Sequence, residues 1–280
     1  MADVVVVDIA DGIATVTMNR PESRNALSSE LLRALPLALR DCNADGNVSV
    51  IILTGADPAF CAGLDLRELG SPQGQIRPDR TDRTSAGSAD SDVVTNSPWP
   101  PLTKPVIGAI NGAAVTGGFE LALNCDFLIA SERARFADTH TRVGIMPGWG
   151  LSVLLPQAIG IRRAKEMSLT GNFMTADEAF HFGLVNRVVP HEELLPTARR
   201  LAADIAGNDQ ESVRELLRSY KLVAGTTVDD GMRIEQETAR GWQGRRFDPA
   251  EVERRRQAII ERGRSQAAGT PMGPRRLRPG

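Results

Sequence analysis

Apolar residues along this chain come in short runs, and the period of those runs changes near residue 190. Val4 to Ile9 and Ile13 to Met18 flank Ala-Asp-Gly, which predicts a β-hairpin. Beyond Ser28 or Ser29, either of which can cap a helix, the spacing predicts a helix towards Asn43, with Pro36 expected to kink or interrupt it. Val48 to Thr54, Val106 to Ile110 and Phe127 to Ser131 read as buried strands. Thr175-Ala-Asp-Glu178 is a capping-box signature before a short helix, and Val185 to Val189 predicts the last strand. From Glu192 to Arg264 the pattern is helical almost throughout. Alternating strands and helices followed by helices alone predict an α/β core over residues 1–190 and a helical C-terminal region over 191–264. Residues 70–98, dominated by Ser, Pro, Gly, Asp, Arg and Thr, read as a mobile surface insertion. Residues 265–280, rich in Gly, Pro and Arg, read as a disordered, solvated tail.

Two of the buried runs end in glycine-rich turns. Lys104 to Asp126 reads as a strand, a glycine turn and the start of a helix, with one carboxylate, Glu120, among apolar neighbours. Glycine lets a backbone approach a ligand closely, and the N–H groups at a helix start have no partner inside the helix. Donors beside a carboxylate are the parts needed to polarise a carbonyl and move a proton next to it. The second turn lies upstream in Ile51 to Leu66, where Ala-Gly-Leu-Asp follows the apolar run. Burial among Phe119, Leu121 and Leu123 would raise the pKa of Glu120 and suit it to act as a base.

At these residues the chain resembles the crotonase, or enoyl-CoA hydratase/isomerase, superfamily. The matching segments are Asn19 to Leu27, Phe60-Cys-Ala-Gly-Leu-Asp-Leu66, Asn111 to Asp126, and Leu169-Thr-Gly171 with Ala176 to Val189, and the likeness covers roughly residues 4–264. The resemblance implies an α/β spiral of repeated strand-strand-helix units with a helical C-terminal region, assembled as a homotrimer or homohexamer. It implies an oxyanion hole made by the N–H groups of Leu64, after Gly63, and Gly117, holding the thioester oxygen of an acyl-CoA. Glu120 matches the glutamate that activates water. The second glutamate of hydratases, which protonates the α-carbon, falls on His140. That histidine either carries the role with altered chemistry, since it exchanges protons near pH 7, or lines the pocket wall. Asp138 and Arg142 lie nearby, and Asp138 is given no role because an extended segment would turn it away. Ala26, Ala62, Gly63 and Asp65 match positions that line coenzyme A, Arg24 is placed to meet a phosphate, and Arg262 and Arg264 are further basic candidates. Trp149, in Pro147-Gly-Trp-Gly150, either shapes the acyl pocket, the reading favoured here, or belongs to the core. Coenzyme A enters as part of the substrate, and no separate cofactor is expected.

Composition narrows the alternatives. A formal charge of −2 over 280 residues gives no electrostatic footprint for nucleic acid. Apolar runs fall short of a membrane span. Cys42, Cys61 and Cys125 are dispersed without a CxxC, so neither a zinc site nor a disulfide framework is expected, and the cytoplasm is the expected location. No GxGxxG follows the first strand, and no phosphate-binding GxxxxGK[ST] occurs. Absence of GxSxG, with Glu120 where a nucleophile would be wanted, argues against a serine peptidase. The leading expectation is a lyase adding water to a 2-enoyl-CoA thioester. A double-bond isomerase and an acyl-CoA-binding relative with weak or no turnover are the alternatives.

Overall fold

The computed structural model describes residues 3–71, 97–246 and 248–268. The apolar runs become strands covered on both faces, and the two-residue alternation of a strand decides which face each side chain serves. On β3 (Val50–Gly55), Ile51 and Leu53 join a cluster with Leu31, Leu35 and Phe60. Val50 and Ile52 point the other way, into a cluster with Leu194, Ala198 and Ala202 of α8 (Leu194–Ala206). The strands β5 (Val106–Ile110) and β7 (Phe127–Ser131) divide their side chains in the same manner. Each fully buried side chain of this size contributes roughly 1.5–3 kcal/mol.

β1 (Val5–Ala10) and β2 (Ile13–Met18) form the expected hairpin. Its turn residues Asp11 and Gly12 both have positive φ, 53° and 76°, the geometry that matches strand twist in a two-residue loop. The helix α1 (Ser29–Ala44) is capped by Ser28, whose Oγ accepts from the Leu31 N–H at 3.2 Å. Pro36 lies inside α1 and does not interrupt it. Leu31, Leu35, Leu39 and Cys42 bury one face on both sides of the proline, and that burial outweighs the one helical hydrogen bond lost.

Among the described residues, ten strands form two sheets. The six-stranded sheet runs β1-β2-β3-β5-β7-β10, with β10 at Arg187–Val189, and is parallel after the first hairpin. The four-stranded sheet runs β4 (Ala59–Cys61), β6 (Ala113–Val115), β8 (Arg135–Ala137), β9 (Met174–Thr175), with only β9 antiparallel. Each pass of the chain therefore gives one strand to the large sheet, the next to the small sheet, and then a helix. The passes are β3-β4-α2 (Leu66–Leu69), β5-β6-α3 (Gly117–Leu123) and β7-β8-α4 (His140–Val143). This is the strand-strand-helix spiral expected from the sequence. After α5 (Leu151–Ile159) and α6 (Ile161–Thr170), α7 (Ala176–His181) begins with the complete capping box of Thr175 and Glu178.

The chain divides into two compact units, the first ending at Arg218 and the second beginning at Ser219. This division lies beyond the change of period at residue 190, because the apolar face of α8 closes the second core cluster of the large sheet. The boundary falls within α9 (Gln210–Val223), and the second unit holds α10 (Val228–Arg246) and α11 (Pro249–Ala268). Arg233 pairs along α10 with Asp230 and Glu237, at the one-turn spacing that supports an exposed helix. Most of the expected mobile insertion, at residues 72–96, and the tail at 269–280 lie outside the described residues, while residues 265–268 continue α11. No described helix is long and apolar enough to cross a membrane.

Ile52 tests the contact between the large sheet and α8. Ile52→Ala should lower stability by roughly 2–5 kcal/mol and Ile52→Val by roughly 0.5–1.5 kcal/mol in denaturant unfolding followed by circular dichroism.

Candidate active site

β4, β6 and β8 are parallel neighbours, so the segments leaving their C-terminal ends lie side by side. Ala62-Gly63-Leu64 leaves β4, Thr116-Gly117 leaves β6, and Asp138-Thr139-His140 leaves β8. The first two turns touch. A Cβ on Gly63, whose φ is +91°, would stand 2.9 Å from the Val115 carbonyl oxygen, and one on Gly118 would stand 2.2 Å from the Cys61 carbonyl oxygen. Only glycine permits this approach.

Backbone pairing leaves the two expected donors free of ladder and helix bonds. Leu27 and Leu64 form a parallel bridge in which the Leu27 N–H donates to Gly63 O at 2.8 Å and the Asp65 N–H donates to Leu27 O at 3.1 Å. That pattern uses the neighbours of Leu64 and bypasses its own N–H. Gly117 is the first residue of α3, where N–H groups have no intrahelical acceptor. Thr116, just before it, is held at φ 53° and ψ −115°, a conformation costing a β-branched residue about 1–3 kcal/mol. The Thr116 hydroxyl meets the Thr139 hydroxyl at 2.5 Å, which pins this strained turn to the residue preceding His140.

Glu120 has 3% exposure, and its Oε1 accepts from the backbone N–H groups of Trp149 at 2.7 Å, Gly148 at 3.1 Å and Leu151 at 3.4 Å. These donors belong to the turn that opens α5, which has Gly150 at its N-cap and no side-chain cap of its own. The carboxylate thus takes the place of a cap, where N–H groups and the helix dipole both favour negative charge. Its other oxygen, Oε2, faces His140 Nε2 at 3.6 Å. On the far side of the imidazole, His140 Nδ1 lies 2.6 Å from Asp138 Oδ1, which also accepts from the His140 backbone N–H at 3.1 Å. All three side chains are buried. Burial works against charge on His140, but hydrogen bonds to Asp138 and Glu120 and the charges of both outweigh it and raise the pKa to about 9. Burial likewise opposes the charge of Asp138, and its hydrogen bonds to His140 and Ser168 hold it below the ordinary carboxylate range.

The structure corrects the reading of Asp138. β8 ends at Ala137, so Asp138 is not in an extended segment, and an Asx-type turn returns its carboxylate to the histidine two residues on. Asp-x-His at a strand end was the available signal. The Glu120 clamp also had a signal, since Pro-Gly-Trp-Gly opens a helix with no Ser, Thr, Asp or Asn to cap it. Arg142 instead bonds Thr170 O and Asn172 Oδ1, tying α4 to the end of α6.

The residues expected to line coenzyme A come together. Ala62 N–H donates to Arg24 O at 3.0 Å, so residues 24–27 run beside residues 62–65, with the Arg24 side chain exposed and Ala26 buried. The Asp65 carboxylate is already engaged by Arg20 at 3.1 Å and by the Arg67 N–H. Burial opposes its charge, but these partners keep its pKa below the usual value. Trp149 is half-buried and packs against the core cluster, with a ring carbon 3.6 Å from where a Gly117 Cβ would be. Arg262 and Arg264 are on α11 in the second unit. Among the described residues no cluster of His, Cys, Asp and Glu is arranged to hold a metal.

Glycine turns, a buried carboxylate and a parallel spiral define a crotonase-type site. Comparison with known proteins agrees: the family model for Enoyl-CoA hydratase/isomerase matches residues 8–265, and the chain belongs to that family. A probable peroxisomal enoyl-CoA hydratase of Arabidopsis thaliana is 41% identical over 225 residues, covering 80% of this chain and 77% of the relative. The crystal structure of an enoyl-CoA hydratase from Mycobacterium tuberculosis is 52% identical, with a TM-score of 0.71 over 86% of this chain and 100% of its own. That of an enoyl-CoA hydratase from Bacillus anthracis is 34% identical, with a TM-score of 0.77 over 92% of this chain and 96% of its own.

A histidine whose pKa is raised on folding stabilises the fold fully below its unfolded value, near 6.5, and loses that contribution as pH rises through about 9. The thermal midpoint of the wild type should therefore fall across that window more steeply than that of His140→Gln, as measured by calorimetry.

Proposed function

We propose that the protein is a hydratase-like lyase that adds water across the double bond of a 2-enoyl-CoA thioester. The observation that carries this reading is the arrangement at the ends of β4, β6 and β8. Two unengaged backbone donors, Leu64 and Gly117, lie on adjoining turns, and Glu120 and His140 face each other beyond them. The thioester oxygen accepts from the Leu64 and Gly117 N–H groups. Negative charge gathers on that oxygen as the enolate forms, and each such donor is worth roughly 3–4 kcal/mol in the transition state. Oε2 of Glu120 takes a proton from water, whose oxygen attacks the β-carbon. His140 Nε2–H delivers the proton to the α-carbon. The CoA portion follows the strip formed by Arg24, Ala26, Ala62, Gly63 and Asp65, and Trp149 bounds the acyl end beside Gly117.

The three cysteines are free, which supports a reducing compartment, and cytoplasmic residence is part of the proposal. So is assembly into a homotrimer or homohexamer, supported by the large exposed apolar side chains Val153, Ile161, Leu169 and Phe173 on and beside α5 and α6. Sedimentation equilibrium should show a trimer or hexamer, and a monomer would remove this part of the proposal.

A spectrophotometric assay on crotonyl-CoA and longer 2-enoyl-CoAs tests the reaction. Wild type should hydrate them, and Glu120→Gln should lose about 10²- to 10⁴-fold in kcat. Binding without hydration by the wild type would reject the hydratase reading and turn attention to double-bond isomerisation of 3-enoyl-CoAs.

A further inference from the structure

We propose that Asp138 is a positioning residue that fixes the proton of His140 on Nδ1 and thereby makes Nε2 the atom that gives and takes protons opposite Glu120. The inference rests on the hydration reading for its catalytic meaning, but the tautomer it assigns belongs to the protein without substrate.

The geometry leaves one arrangement of hydrogens. Asp138, with its pKa held below the ordinary carboxylate range, is ionised at neutral pH and can only accept, so the 2.6 Å contact between its Oδ1 and His140 Nδ1 requires the proton on Nδ1. The contact is short, buried and braced, because the same oxygen also accepts from the His140 backbone N–H at 3.1 Å. The imidazole cannot turn over without breaking this bond and placing a carbon against Asp138. Nε2 is left 3.6 Å from Glu120 Oε2, longer than a tight hydrogen bond. Among the described residues, the titratable groups that face the ring are Glu120 from α3 and Asp138 from the end of β8, and both are acidic. Their charges keep Nε2 protonated at neutral pH, and removing Asp138 removes the closer one.

The proton balance closes on these residues. Glu120 removes one hydrogen from water, the hydroxyl oxygen bonds to the β-carbon, and the Nε2 hydrogen bonds to the α-carbon. His140 is then neutral with its hydrogen on Nδ1, and Glu120 is protonated across the gap from the Nε2 lone pair. Transfer from Oε2 to Nε2 restores both groups. A ring turned over about its Cβ–Cγ bond would face Glu120 with a carbon in place of Nε2, and neither the delivery nor the return of the proton could occur.

The test uses protein labelled with ¹⁵N in its histidine rings. The chain has 3 histidines, so His140→Gln assigns the signal by its disappearance. In wild type without substrate, His140 should remain an imidazolium at neutral pH and titrate to the Nδ1–H tautomer. A neutral Nε2–H tautomer would overturn the proposal with no variant needed. Asp138→Asn should lower the His140 midpoint by at least about one unit, a tenfold loss in proton affinity, and an unmoved midpoint would overturn it too. In hydration assays Asp138→Asn should lower kcat about 10- to 100-fold, as outer partners of functional histidines commonly do, with KM nearly unchanged and the alkaline limb of the rate profile moved to lower pH. A purely structural Asp138 would lower the melting temperature and raise KM while leaving that limb in place. Should Asp138→Asn fail to fold, Asp138→Glu, which retains the charge on a longer arm, should keep the raised midpoint. If no enoyl-CoA is hydrated by the wild type, the ring titration still decides the Asp138–His140 coupling.

Discussion

A carboxylate buried to 3% exposure has to be met by donors, and Glu120 is met by three backbone N–H groups at the turn into α5. The bond serves both sides. The turn of α5 has no side-chain cap, so the Trp149 and Leu151 N–H groups would lose their acceptor without the carboxylate, and the carboxylate would lose its donors without the turn. Because Oε1 is consumed in this way, only Oε2 remains to face His140. The same turn sets Trp149 against Gly117, and Asn124 Nδ2 adds a bond to Trp149 O at 2.9 Å, so α3 and the entrance to α5 are fixed as a unit.

The placement of this unit follows from parallel pairing in the small sheet. Neighbouring parallel strands end at the same edge, and in open sheets that edge is where binding crevices form. Here β4, β6 and β8 are only three residues each, and what they lack in length they gain in the large sheet that precedes every one of them. Strain at Thr116 is held at the centre of this edge, by Gly63 packed against it and by the hydroxyl of Thr139. A well-packed core below is what permits such a conformation to persist.

The pairing of one carboxylate with a histidine sets the proton inventory of the site. The imidazole lies between Glu120 Oε2 on one side and Asp138 Oδ1 on the other. The cost of burying three ionisable groups is offset by their mutual contacts and by donors from the backbone.

Much of the fold was legible because it rests on local rules. Runs such as Val106–Ile110 have strand length, Ser28 and Thr175 are cap residues, and Asp11-Gly12 is a hairpin turn. The two glycine turns and Glu120 could be read as chemistry because glycine and an isolated carboxylate are rare inside buried runs. The small sheet was harder to see, since strands of three residues carry too little periodicity. Pro36 misled because its local penalty is overridden by burial along the whole helix. The period change at residue 190 did not coincide with the compact unit, because helicity is local whereas the docking of α8 on the sheet is not. The sequence by itself determined the longer elements, their order and the family's motifs, as these depend on neighbours within a few residues. Only the tertiary structure decided that the α5 turn holds Glu120, that Thr116 meets Thr139, and that Asp138 turns to His140. Those contacts join segments brought together by strand pairing, or depend on where a strand stops, and a local pattern can hint at either without deciding it.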